Sequence, residues 1–189
     1  MGGLMRVPAS LLVLLTALAG GCAGPPAPVQ NVKTAPDETI NLHSAGEFTE
    51  GDTAAIAHDR KLAPQGAQAS VTVESGRGET RTSLVVEGLL PDRRYGSHLH
   101  AKPCGKKPAD SGPHYQHHPG QINPQSEVWL DFTTDGEGVG RSSARQNWVL
   151  ERDKLPGSLV IHAKPTVTSG PQAGQAGDRV ACLTLKEDA

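Results

Sequence analysis

The sequence predicts an antiparallel all-β domain, a sandwich or barrel of about eight strands with two long functional loops. Short runs in which apolar and polar residues alternate recur along the chain and are rich in Val, Leu and Thr. Glycine-containing segments separate several of these runs, as they do in hairpin turns. No window of helical length has a 3.6-residue apolar period, so we expect no helical domain.

Six of the runs have strand length and strand composition. In chain order they are "ASVTVES", "TSLVVEGL", "YGSHLHA", "EVWLDFTT", "SLVIHA" and "DRVACLTL". Two weaker runs, "TAAIAHD" and "GRSSARQNWV", bring the total to about eight. The segments "ESGRGET" and "TDGEG" indicate turns. Residues 102–126 and 164–178 contain no such run, and loops of this length in a compact domain are usually functional.

The first 21 residues have the pattern of a secretory signal. Arg6 is a basic start, and the apolar run over residues 11–18 is too short to span a bilayer. The ending "LAGGC" resembles the lipobox of bacterial lipoproteins, which predicts Cys22 as the acylated first residue of the mature chain. The alternative is an ordinary secretory peptide cut nearby, with Cys22 left free. Both interpretations predict export, either to a lipid anchor on the extracytoplasmic face of the cell membrane or as a secreted protein.

The segment 22–52 is rich in Pro, Gly and polar residues and has no strand or helix period, which predicts a flexible tether. The folded domain is then expected over residues 53–189. The chain has 18 basic and 20 acidic residues without a basic cluster, which argues against nucleic acid as a partner. Nothing after Cys22 is long and apolar enough to cross a membrane, so only a lipid on Cys22 would hold the protein there.

Histidine is concentrated in "HLHAKPCGKKPADSGPHYQHH", residues 98–118, which holds five of the eight histidines. His98 and His100 stand two apart on a predicted strand, so their side chains share a face and can chelate one metal ion. His162 near the end of another strand can supply a third imidazole, and His114 in the loop can supply a fourth. An all-imidazole site suits copper or zinc better than calcium or magnesium. A pair of polar surface histidines is the alternative for an isolated H-x-H, but their concentration favours a metal site.

Two cysteines remain once Cys22 is assigned to the signal. Cys104 lies in the histidine-rich loop, and Cys182 lies in the last predicted strand. An even pair in an exported domain predicts a disulfide, which would tie that loop to the strand.

The motifs "H-x-H", "C-G", "G-P-H", "V-I-H-A" and "G-x-R-x-A-C", in this order, resemble the copper/zinc superoxide dismutases. The resemblance covers most of residues 68–185. It implies an eight-stranded Greek-key β-barrel, copper and zinc as cofactors, and dismutation of superoxide to oxygen and hydrogen peroxide. The residue roles that it implies are His98, His100 and His162 as copper ligands, His114 as the imidazole that bridges copper and zinc, Cys104 and Cys182 as the disulfide, and Arg179 as the arginine that guides superoxide.

The chain departs from this family after His114, where the family has two further histidines and an aspartate in a longer loop. Here His117 and His118 follow three and four residues after His114, and Glu127 or Asp131 is the nearest carboxylate. These four residues are the zinc candidates. Because neighbouring side chains in an extended segment point apart, we expect zinc, if bound, to bind less well than copper.

The sequence thus predicts an exported copper-dependent superoxide dismutase. Its partners are superoxide and, through a lipid on Cys22, a membrane, and its oligomeric state stays open. The alternative is a non-catalytic lipoprotein of the same fold that buffers or delivers copper. Arg179 favours the enzyme, because a storage site needs no guide for an anion. The compressed zinc loop favours the copper-binding protein.

Overall fold

The computed structural model describes residues 2, 39–51 and 54–188. In this part of the chain, within the compact unit Ala35–Ala189, ten strands and one short 3-10 helix form. The strands are β1 (Ile40–Glu47), β2 (Ala55–Ala57), β3 (Gln68–Gly76), β4 (Glu79–Glu87), β5 (Arg94–His100), β6 (Phe132–Thr133), β7 (Gly140–Gln146), β8 (Ser158–His162), β9 (Arg179–Thr184) and β10 (Lys186–Glu187). The 3-10 helix, Pro108–Ser111, lies in the long loop after β5.

The strands form two five-stranded sheets in the described residues. The first has the order β10-β1-β3-β4-β7, and the second has the order β2-β9-β8-β5-β6. All pairings between these strands are antiparallel, so the predicted antiparallel all-β sandwich or barrel is confirmed. Each of the eight predicted runs overlaps one of the strands β2 to β9.

Strands β3 and β4 show why the alternating pattern is informative. Buried and exposed residues alternate along both, so one face packs into the core through Val71, Val73 and Leu84 while the other meets water. Arg77 and Gly78 connect the two strands with φ angles of 53° and 84°. A two-residue hairpin with both residues in this region matches the right-handed twist of the strands. The turn predicted in "ESGRGET" is therefore present.

Strands β5 and β8 are buried on both faces and form the platform for the histidines. Tyr95 and Leu99 of β5 point into the core together with Leu159 and Ile161 of β8. The opposite face of these strands is covered by the two long loops. Gly96 permits one of these loops to approach β5, because a Cβ there would lie 2.7 Å from the carbonyl oxygen of Lys164.

The domain begins earlier than the sequence predicted. Residues 40–47, assigned to the flexible tether, form β1 and pair with β3 along their whole length, from Ile40 opposite Ser75 to Glu47 opposite Gln68. The tether prediction is corrected for these residues. The predicted signal, apart from Gly2, and the predicted anchor Cys22 lie outside the described residues. In the part of the chain that is described, no helix has the length and apolar character needed to span a membrane.

Candidate metal centre

Four imidazoles converge on the outer face of the second sheet. His98 and His100 come from β5, His162 is the last residue of β8, and His114 lies in the loop after the 3-10 helix. Their ligand atoms all lie within 4.8 Å of one another. His98 and His100 are fully buried, and His162 is 4% exposed. The structure therefore brings together the four residues that the sequence singled out as copper ligands.

Backbone carbonyls orient two of the four rings. His100 Nδ1 lies 3.0 Å from the carbonyl oxygen of Gly112, and His162 Nδ1 lies 3.1 Å from that of Gly177. Because a carbonyl oxygen only accepts, both Nδ1 atoms carry hydrogen and both Nε2 atoms present lone pairs. These two Nε2 atoms are 3.3 Å apart. Two lone pairs that face each other at this distance fit a shared cation.

A buried carboxylate orients His114. Its Nδ1 donates to Glu127 Oε2 at 2.8 Å, which leaves Nε2 for the cluster. Glu127 is 1% exposed and also accepts hydrogen bonds from Gln116 Nε2 and Trp129 Nε1, both at 2.8 Å. Burial on its own would raise the pKa of Glu127, but the hydrogen bonds from His114, Gln116 and Trp129 lower it below its ordinary value.

The ring of His98 is turned the other way. Its Nε2 lies 2.7 Å from Thr166 Oγ1, while its Nδ1 is buried and has no hydrogen-bond partner among the described residues. A buried polar atom without a partner is costly, and a metal ion bound to it would remove that cost. The donor set thus consists of one Nδ1 and three Nε2 atoms, and it fits an ion that accepts four imidazoles.

The buried imidazoles are held in the neutral form. Burial, reinforced by the other three imidazoles, lowers the pKa of His98 well below its ordinary value. Burial also lowers the pKa of His100 to about 2 and the pKa of His162 to about 4. Neutral imidazole is the form that binds metal ions, so the site is ready for a ligand without losing protons first.

A cavity of about 500 Å³ opens over the cluster, and His114, His162 and Arg179 are among its lining residues. The guanidinium of Arg179 donates to Pro108 O at 2.7 Å, to Ser111 Oγ at 2.8 Å and to Gly112 O at 2.7 Å. These three hydrogen bonds fix the positively charged guanidinium of Arg179 at one point of the cavity wall. The Gly112 carbonyl that Arg179 holds is also the one that orients His100.

The disulfide predicted between Cys104 and Cys182 is present, with the two Cα atoms 5.8 Å apart. It joins the loop that carries Gly112 to β9, three residues beyond Arg179. Both cysteines are buried and pack against Ile56 and Val160. The histidine-rich loop is therefore tied covalently to the sheet.

The zinc candidates are not brought together into a second site. The ring of His117 stacks on Trp148, with centroids 4.5 Å apart and planes at 3°, and His118 follows in the same turn. Glu127 bonds to His114, and Asp131 accepts from Thr166. In the described residues, the four-histidine cluster is the one group in which three or more His, Cys, Asp or Glu ligand atoms converge.

Several residues that shape the site carried no usable signal in the sequence. The carbonyls of Gly112 and Gly177 orient two rings, and every residue type has a carbonyl. Thr166 lies four residues after His162, in a loop where threonine is common. Glu127 did stand out as a carboxylate near the cluster, but the sequence indicated a metal ligand and not a hydrogen-bond acceptor.

The fold is similar to that of a solved superoxide dismutase. A Cu/Zn superoxide dismutase from Brucella abortus matches with a TM-score of 0.52 and 18% sequence identity, over 77% of this chain and 97% of that chain. A scan against protein-family models found no match, and a search of curated proteins found none. At this identity the likeness establishes the fold, so two antiparallel sheets of the Cu/Zn superoxide dismutase type carry a cluster of four histidines and a disulfide.

Proposed function

We propose that this domain binds one copper ion through His98, His100, His114 and His162 and dismutates superoxide outside the cytoplasm. In the balanced reaction, two superoxide anions and two protons give one oxygen and one hydrogen peroxide. One observation carries the proposal: the ligand atoms of four imidazoles lie within 4.8 Å of one another, and two of these rings, His114 and His162, line an open cavity. When bound, copper supplies the one-electron redox couple that this reaction needs.

The donor set favours copper without a zinc partner. A second ion bridged to the first would need the Nδ1 atom of His114, and this atom donates to Glu127. The other zinc candidates offer no replacement, because His117 stacks on Trp148 and Asp131 bonds to Thr166. We therefore propose copper alone, with Glu127 fixing the ring that a second metal ion would otherwise hold.

Arg179 is proposed to attract and orient the substrate. Superoxide is a small anion, and a fixed guanidinium beside the imidazoles raises its local concentration at the cavity floor. The three hydrogen bonds from Arg179 to residues 108–112 keep the charge in place. His114 and His162 line the same cavity, so a bound anion would lie next to the cluster.

The second candidate is a copper-binding protein without catalysis. The observation that favours it is that the Arg179 guanidinium donates three hydrogen bonds to residues 108–112 of the loop. An arginine bonded in this way can have the structural role of holding the loop. The two functions differ in one measurable property. A copper carrier holds one copper per chain and leaves the rate of superoxide loss unchanged.

Export is proposed on two grounds. The N-terminal pattern is that of a signal with a lipobox-like end at Cys22, and a buried disulfide is typical of proteins outside the reducing cytosol. We propose a lipid on Cys22 as the attachment to the membrane.

The test combines metal analysis with a stopped-flow assay of superoxide consumption. The purified domain should hold one copper and accelerate superoxide loss, and both properties should be absent in His100→Gln and His162→Gln. His43→Gln is the matched control, because His43 lies on β1 with a half-exposed side chain and pairs with Asp188. A His162→Gln protein that keeps its copper and its activity would contradict the assignment. Copper binding without acceleration would select the second candidate.

A further inference from the structure

Thr166 lies between a ring of the cluster and a carboxylate. Its hydroxyl oxygen is 2.7 Å from His98 Nε2 and 2.5 Å from Asp131 Oδ1. Its backbone N–H donates to the other carboxylate oxygen, Asp131 Oδ2, at 2.6 Å. Thr166 is 8% exposed, and its loop is joined to β5 by a hydrogen bond from Gly96 N to Lys164 O at 2.8 Å. The contact is therefore built into the fold.

The hydrogen bonds that link His98, Thr166 and Asp131 can run in only one direction, with each donor pointing toward Asp131. The carboxylate of Asp131 accepts, and it takes the single hydroxyl proton of Thr166 as well as its backbone N–H. Toward His98 the hydroxyl oxygen can then only accept, so His98 Nε2 must carry the hydrogen. His98 Nδ1 is left with a lone pair, and this atom has no hydrogen-bond partner in the described residues.

We propose that Thr166, anchored by Asp131, is a positioning residue that fixes His98 with hydrogen on Nε2 and so selects Nδ1 as its metal-binding atom. The inference rests on the proposed copper site but not on its catalytic activity. Of the four rings, His98 alone presents Nδ1, and a side-chain hydroxyl sets its direction. A single substitution can therefore change the donor atom that this ring offers.

Asp131→Asn gives the sharpest test, because it reverses the chain of hydrogen bonds without changing its shape. Two backbone N–H groups face the Asp131 carboxylate: Thr166 N lies 2.6 Å from Oδ2, and Ser97 N lies 3.4 Å from Oδ1. The amide oxygen of the variant is expected at the Oδ2 position, because the shorter of these two contacts is made there. The amide nitrogen then donates to the Thr166 hydroxyl, which turns its own proton toward His98 Nε2. His98 should switch to hydrogen on Nδ1, and its metal-binding lone pair is lost.

Two substitutions at Thr166 complete the set. Thr166→Val keeps the shape and removes the hydroxyl, whereas Thr166→Ser keeps the hydroxyl and should rescue the site. Thr168→Val is the matched control, because Thr168 is exposed in the same loop. Loss of a residue that orients a metal ligand typically lowers metal affinity about 10- to 100-fold. We expect this loss for Thr166→Val and Asp131→Asn, and a change of less than about threefold for Thr166→Ser and Thr168→Val.

The tautomer is read in the metal-free protein from the ¹⁵N chemical shifts of the His98 ring, and copper affinity is measured by competition with a chelator. Wild type, Thr166→Ser and Thr168→Val should show hydrogen on Nε2, and Asp131→Asn should show it on Nδ1. Hydrogen on Nδ1 in the wild type would overturn the inference, as would Thr166→Val with unchanged copper affinity. If Thr166→Val does not fold, the wild type and Asp131→Asn still decide. Failure of the wild type to bind copper would refute the proposed function, while the ring shifts would still test the inference.

Discussion

The disulfide is expected to supply a large part of the stability of the metal-free domain. Cys104 and Cys182 are 78 residues apart in the chain, so the bond closes a long loop in the unfolded state. For a loop of this length, the chain-entropy relation gives about 15 cal/mol/K, or about 4.5 kcal/mol at 25 °C. A domain of ordinary stability has about 5–15 kcal/mol in total. Reduction should therefore leave the free energy of unfolding at a fraction of its oxidised value.

Urea unfolding of the oxidised and reduced wild type measures this difference. Both samples are kept metal-free, because a bound ion would add its own stabilisation. The reduced protein keeps both side chains in the core, so the comparison separates the cross-link from the loss of packing that Cys104→Ala with Cys182→Ala would add. With a slope of about 2 kcal/mol/M, the urea midpoint should fall by about 2 M on reduction. A fall of less than about 0.5 M would refute the reasoning from loop closure.

Three further substitutions test the site and the anchor. Arg179→Ala should leave one copper per chain but lower the second-order rate constant of superoxide consumption. The dependence of this rate constant on ionic strength should also weaken, because salt screens electrostatic steering. An unchanged rate constant would favour the copper carrier. Glu127→Gln should lower the free energy of unfolding of the metal-free protein by about 1–3 kcal/mol, because an amide has one oxygen for the three donors that this buried side chain now satisfies. Equal urea midpoints would contradict this. Cys22→Ala should move the protein from the membrane fraction to the soluble exported fraction. Continued membrane association would show that a lipid on that residue is not what attaches the protein to the membrane.

The sequence predicted the fold where local pattern and tertiary environment agree. Strands β3 and β4 alternate strictly because one face of their sheet packs into the core, and this gives the two-residue period that was recognised. Strand β1 was missed because "INLHSAGE" contributes just two large buried residues, Ile40 and Leu42, and follows a Pro-rich segment. Its strand conformation depends on pairing with β3, which is about 30 residues away in the chain and leaves no local signal.

The candidate ligands were predictable for a similar reason. The H-x-H spacing on a strand puts His98 and His100 on one face whatever the rest of the chain does. The zinc candidates required knowledge of non-local contacts. The stacking of His117 on Trp148 and the bond between Glu127 and His114 join residues from different parts of the fold. Residue type alone does not distinguish a carboxylate that binds a metal ion from one that holds a histidine.

The orientation of the cluster comes from the loops and not from the strands. Each ring is bonded, through the nitrogen that faces away from the other rings, to a group outside β5 and β8. The partners are Gly112 O for His100, Gly177 O for His162, Glu127 for His114 and Thr166 for His98. The strands therefore fix where the imidazoles lie, and the loops fix which nitrogen each one offers. Anything that moves a loop, including loss of the disulfide or of the Arg179 hydrogen bonds, should first change the geometry of metal binding and leave the sheets intact.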